Sequence, residues 1–144
     1  MDRPTERFRR QHKELVKLAG ELMQVLDAET LAERPEEACR RLARFTGKLK
    51  VHAAMENAAL YPRLLESEHA AVRDEARKLF LEVGELYDHF ASYSERWCSA
   101  AAVQADPACF STETVSLLQR LGQRMMRENE DLYPLVDACE ERAS

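Results

Sequence analysis

Phe8, His12, Leu15, Ala19, Leu22 and Leu26 step along the chain by four and three residues in turn, the period of a helix that turns one face toward a core. The stepping returns in Ala38, Leu42, Phe45, Leu49, His52, Glu56 and Leu60, after a break over 28–34 and with Pro35 suited to a first helical turn. A third run begins near Ala70 and carries Val72, Ala76, Leu79, Val83, Leu86, Phe90, Tyr93 and Trp97, with His89 flanking or sharing its seam. The stretch 103–110, which holds Asp106-Pro107, interrupts the pattern, and Ser111 or Thr112 followed by Glu113 reads as the next helix start. From there Leu117, Leu121, Arg124, Glu128, Leu132 and Leu135 make a fourth face.

Four such helices with short connections predict an all-α fold, an antiparallel up-down-up-down four-helix bundle occupying 1–144 as a single domain. The bundle reads as two similar helical hairpins, because Glu56-Asn57-Ala58-Ala59-Leu60-Tyr61-Pro62 recurs as Glu128-Asn129-Glu130-Asp131-Leu132-Tyr133-Pro134. Pro62 and Pro134 hold the same place in both copies, and each is expected to kink or end its helix by removing a backbone donor.

Composition agrees with helices: only four glycines and five prolines accompany 33% charged residues. The net charge of -5, with Arg and Lys interleaved among Glu and Asp, excludes a basic nucleic-acid footprint. No run of 18 apolar residues offers a membrane span and no apolar leader opens the chain, so a soluble, cytoplasmic protein is expected. Cys39, Cys98, Cys109 and Cys139 are widely spaced with no C-x-x-C pair and read as packed thiols. Phosphate-cradling and nucleophile-elbow motifs are missing.

Chemistry enters through the polar residues on the seams. His12, His52, Glu56, His89, Arg124 and Glu128 interrupt faces that otherwise want hydrocarbon, and buried polar groups must satisfy one another or something bound between them. His52 and Glu56 stand at i and i+4, on one helix face about a turn apart, which is how a helix offers two ligands to one metal ion. Imidazole with carboxylate suits iron, manganese or zinc. In the second copy of the repeat Arg124 stands where His52 stands in the first.

In these residues the chain resembles the hemerythrin-like, or HHE cation-binding, family. The likeness rests on His12 in the first helix, His52 and Glu56 followed by Leu60-Tyr61-Pro62, His89 in the third helix, and Arg124 to Glu128 followed by Leu132-Tyr133-Pro134. The resemblance implies a four-helix bundle with a non-haem di-iron site in which histidines cap the irons and the two glutamates bridge. It thus implies metal ligation by His12, His52, Glu56, His89 and Glu128, with one or two iron ions as cofactor and zinc or manganese as other candidates. Its pattern has histidine where Arg124 stands, and hemerythrins proper have another where this chain has Glu85.

A guanidinium has no free lone pair and stays protonated, so Arg124 is no ligand. It leaves a mononuclear site, or takes a cation's place by pairing with Glu56, Glu128 or Glu85, or snorkels to the bundle end. The leading functional expectation is a metal protein that binds or senses dioxygen, nitric oxide or another redox species at an open coordination position. A metal-free structural bundle held by Arg124, and a di-metal oxidoreductase or iron-sulfur repair protein, are the alternatives. Tyr61 and Tyr133 read as packing residues with a hydroxyl near the bundle end, or as hydrogen-bond donors to a ligand. His69 reads as an exposed turn residue, and Met55, Met125 and Met126 as core filler.

Overall fold

The computed structural model describes residues 3–97 and 99–143, with side chains through residue 139. Every regular element among them is helical: α1 (Glu6–Met23), α2 (Ala28–Glu33), α3 (Pro35–Ala59), α4 (Tyr61–Leu65), α5 (Ala70–Arg96), α6 (Ala100–Ala105), α7 (Pro107–Arg127), a π-helical turn over Glu128–Leu132, and α8 (Tyr133–Ala143). The four long helices α1, α3, α5 and α7 form a helical bundle, α1 lying along α3 and α5 along α7.

Local chemistry sets the ends. Asp27 accepts a hydrogen bond from the Thr30 amide at 2.9 Å and starts α2, so the stretch 28–34 that reads as a break in the sequence is a short capped helix. Asp106 accepts from the Cys109 amide at 3.2 Å, and Pro107 fills the first turn of α7. The fourth long helix therefore begins at Pro107, ahead of the Ser111 or Thr112 start expected from periodicity, because Asp-Pro is itself a cap followed by a first turn.

The two prolines of the repeat act through different backbone devices. At Pro62 the long helix stops at Ala59, and α4 starts at Tyr61 with the proline in its first turn. Pro134 has no N–H to give, and the chain answers with a π turn in which the Tyr133 amide bonds to the Glu128 carbonyl. The Asn129 carbonyl in that turn accepts instead from Arg9 Nη1 at 3.3 Å.

Burial follows the sequence pattern closely on α5, where Val72, Ala76, Leu79, Val83, Leu86, Phe90 and Tyr93 are all buried. Two apolar clusters form. One gathers Leu15, Leu22, Phe45, Leu49, Leu86, Phe90, Phe110 and Met125 among others. The second gathers Phe8, Leu60, Tyr61, Leu64, Leu79, Leu132 and Tyr133. Between them along α1, α3 and the end of α7 stand the buried polar residues His12, His52, Glu56 and Glu128, so the core is split by a polar layer. Asp137, also buried, anchors the chain start by accepting from the Thr5 amide at 3.3 Å and the Thr5 hydroxyl at 2.9 Å.

No helix among the described residues is long and apolar enough to cross a membrane. Cys39 and Cys109 pack at the edge of the first apolar cluster and Cys139 at the edge of the second. Cys98 lies outside the described residues.

Candidate metal centre

Positions 12, 52, 56 and 128 fall on the inward stripes of their helices, flanked one turn either way by core residues such as Phe8 and Leu15, Leu49 and Leu60, Met125 and Leu132. Helix packing therefore drives these polar side chains together. One ligand-capable atom from each of His12, His52, Glu56 and Glu128 lies within 4.8 Å of the other three. His12 Nε2 is 3.1 Å from His52 Nε2 and 3.3 Å from Glu128 Oε1, and His52 Nε2 is 3.1 Å from Glu56 Oε1.

Those separations bear directly on whether a metal ion fits. Metal–ligand bonds of about 2.0–2.2 Å put adjacent donor atoms roughly 3.0–3.5 Å apart in octahedral or tetrahedral arrangements. The contacts of 3.1, 3.3 and 3.1 Å fall in that range.

Proton positions reinforce the fit. The Gln11 amide oxygen lies 2.6 Å from His52 Nδ1, and the Asn129 amide oxygen lies 2.9 Å from His12 Nδ1. An amide oxygen can only accept, so both Nδ1 atoms donate, and the Nε2 atom of each ring is turned into the cluster, the two lying 3.1 Å apart. Two imidazole nitrogens and two carboxylates that face one another form a donor set for a cation among them.

Electrostatics point the same way. Burial, together with the neighbouring His12 ring, pushes His52 down to about 4, so its imidazole is neutral at pH 7. Burial and the adjacent Glu128 carboxylate push the Glu56 carboxyl well above its usual range. Burial opposes ionisation of Glu128 too, yet hydrogen bonds from His12, Glu56 and Tyr61 hold its carboxyl below the usual range. The opposite shifts are those of two carboxyls that compete for one proton, which Glu56 holds the more tightly.

Three tyrosines surround the carboxylates. Tyr61 donates to Glu128 Oε2 at 2.7 Å, Tyr133 to Glu56 Oε2 at 3.3 Å, and Tyr87 to Glu56 Oε1 at 3.4 Å. Burial, and then the negative charge of Glu56 and Glu128, pushes all three phenols up, so they stay protonated donors. Of the two readings open for Tyr61 and Tyr133 in the sequence, their hydroxyls take the hydrogen-bonding one.

His89 does not join the cluster. Leu86, Phe90 and Tyr93 are buried on α5, which leaves position 89 on the exposed flank, where His89 Nδ1 accepts from Arg120 Nη1 at 3.0 Å. The placement of His89 among converging ligands is corrected accordingly, and Glu85 is exposed as well. At the level of the site α5 offers Val83, Leu86 and the Tyr87 hydroxyl.

Arg124 is also corrected. It makes its ion pair with Glu82 on α5, not with Glu56, Glu128 or Glu85, and it does not reach for the bundle end. Arg127 Nη1 shares the same Glu82 oxygen at 2.6 Å, and its Nη2 reaches Glu75 at 3.4 Å. Although partial burial opposes it, the two guanidinium groups hold the Glu82 carboxyl below its usual range. Arg124 borders a cavity of about 10 Å³ that His52, Val83, Tyr87 and Glu128 also line, which is room for about one water-sized atom.

Gln11, Asn129 and Tyr87 were not singled out in the sequence. The available signal was adjacency: Gln11 precedes His12, and an asparagine follows the glutamate in both copies of the repeat, Asn57 after Glu56 and Asn129 after Glu128. The copies part company here, since Asn57 is exposed while Asn129 orients an imidazole.

No curated protein and no solved structure matches the chain. The family model described as the hemerythrin HHE cation-binding domain matches residues 3–136. Spanning nearly the whole chain and all four buried donors, that match means that the chain belongs to the hemerythrin HHE cation-binding domain family.

Proposed function

We propose that this chain is a non-haem iron protein that binds or senses a small diatomic or redox species, dioxygen, nitric oxide or peroxide, at an ion held by His12, His52, Glu56 and Glu128. The observation that carries the reading is the convergence of four buried donor residues, with the Nε2 atoms of both imidazoles turned into the cluster. Two imidazoles with two carboxylates suit iron, and also zinc or manganese. Iron is preferred because the small cavity beside His52 and Glu128 gives an open coordination position somewhere for an exogenous atom to sit. When bound, the ion supplies Lewis acidity and a redox-active centre. The chain's own groups fix the imidazole tautomers through Gln11 and Asn129, hold the carboxylates through tyrosine hydroxyls, and keep bulk water out.

The reading includes a single cytoplasmic domain whose four long helices run antiparallel. A metal-free bundle in which a guanidinium neutralises the seam carboxylates draws no support, because Arg124 pairs with Glu82. The test is metal analysis and the visible spectrum of protein loaded with ferrous iron, beside its His52→Ala variant. Bound iron in the parent and a large loss in the variant are expected. Equal metal content in the two proteins defeats the assignment.

A further inference from the structure

We infer that the centre takes one cation and that Arg124 is the chain's own permanent positive charge, standing where the helical repeat would otherwise present another imidazole for a second ion. This inference rests on the cluster being a metal centre.

The repeat defines two equivalent positions, His52 four residues before Glu56 and Arg124 four residues before Glu128. Both side chains border the same small cavity, together with Glu128. One position delivers a lone pair and the other a guanidinium that has none to give. Arg124 is tied across to α5 through Glu82, and Glu82 is itself shared with Arg127, so the guanidinium is fixed by a network of charges rather than free to swing away.

A second ion beside the first would need further donors, and the neighbourhood has none to spare. Among the described residues no other group of three or more His, Cys, Asp or Glu side chains converges. His89 is exposed and engaged by Arg120. The helix facing Arg124 presents Val83, Leu86 and Tyr87 to the cavity, two of them hydrocarbon and the third a hydroxyl already donated to Glu56. The four donors that do converge lie within 4.8 Å of one another, a cluster that one ion can draw on whole and that leaves no separate set for a second.

The experiment is a count of ions per chain after anaerobic loading with ferrous iron and removal of excess, by elemental analysis against protein concentration. The parent protein and Arg124→His are compared, with native helicity checked by circular dichroism. About one ion in the parent and about two in Arg124→His are expected. In the oxidised proteins, the paramagnetic signal of isolated ferric ions in the parent should give way to the weak signal of a coupled pair in the variant. Should Arg124→His lose native helicity, the double variant Glu82→Gln/Arg124→His leaves no carboxylate unpaired and carries the same comparison. Two ions in the parent, or a folded variant that stays at one, overturns the inference while leaving the metal reading intact. A parent that binds none overturns both.

Discussion

Tyr61 donates its phenolic hydrogen to Glu128 at 2.7 Å across 67 residues of sequence, although it belongs to the same copy of the repeat as Glu56. Tyr133 mirrors it by donating to Glu56 at 3.3 Å, although it follows Glu128. Each copy of the repeat therefore positions the acid belonging to the other copy, and the halves are locked through the site.

Replacing Tyr61 with Phe removes the donor from a buried carboxylate. Loss of about 1–3 kcal/mol in the stability of the metal-free protein is expected, since an acceptor is left without its partner. Chemical denaturation of the variant beside the parent checks it, and an unchanged midpoint contradicts the hydrogen bond's role.

Gln11 and Asn129 act on metal affinity through the imidazoles they orient. Gln11→Ala frees the His52 ring to turn and to move its proton, and a fall of about 10–100-fold in metal affinity is expected with helicity retained. Competition against a chromophoric chelator measures the change.

His89 supplies a contrasting case. Because it is exposed and bonded to Arg120, His89→Ala should bind as much iron as the parent protein. Elemental analysis decides this, and a marked loss of metal would return His89 to the site.

The raised carboxyl of Glu56 gives the metal-free protein a pH dependence of defined sign. A group whose folded pKa lies above its unfolded value contributes stability that is complete below the unfolded value and is lost as pH rises through the folded one. Relative to Glu56→Gln, the parent should therefore lose up to about 1.4 kcal/mol per pH unit above the usual carboxylate range. His52, pushed down to about 4, acts oppositely between there and its unfolded value of 6.5, so the contrast is cleanest above that window. Denaturation of both metal-free proteins from the usual carboxylate range upward checks it, and curves that stay parallel throughout refute the raised Glu56 carboxyl. Metal uptake should correspondingly release a proton, visible as a buffer-dependent heat in titration calorimetry.

Much of this arrangement was legible as spacing. The seam of α5 read from Val72 to Tyr93 is the buried face, and His12, His52, Glu56 and Glu128 meet as their register implies. His89 misled because an apolar stripe on a helix is about 100° wide and periodicity does not separate its rim from its centre. Packing does so by burying Leu86 and Phe90 on either side. The Glu82 partner of Arg124 was hidden for another reason: which long side chains meet across two helices depends on how each is rotated, and no local pattern records that. The amides of Gln11 and Asn129 gave no motif, since an acceptor for a ring nitrogen can come from many residue types.

The π turn over Glu128–Leu132 carries a consequence for how this chain tolerates change in length. It accommodates one more residue than an ordinary helical turn in the step between Glu128 and Tyr133. Removing a single residue from 130–131 would let the backbone relax into regular helix, in which four residues at about 100° each span nearly the turn that five span here, so the chain beyond would keep its direction. The hydroxyl of Tyr133 would still face Glu56, and Asp137 would still face Thr5. Residue count within that segment is thus more negotiable than the identity of Asn129, and a one-residue gap there is compatible with an intact centre.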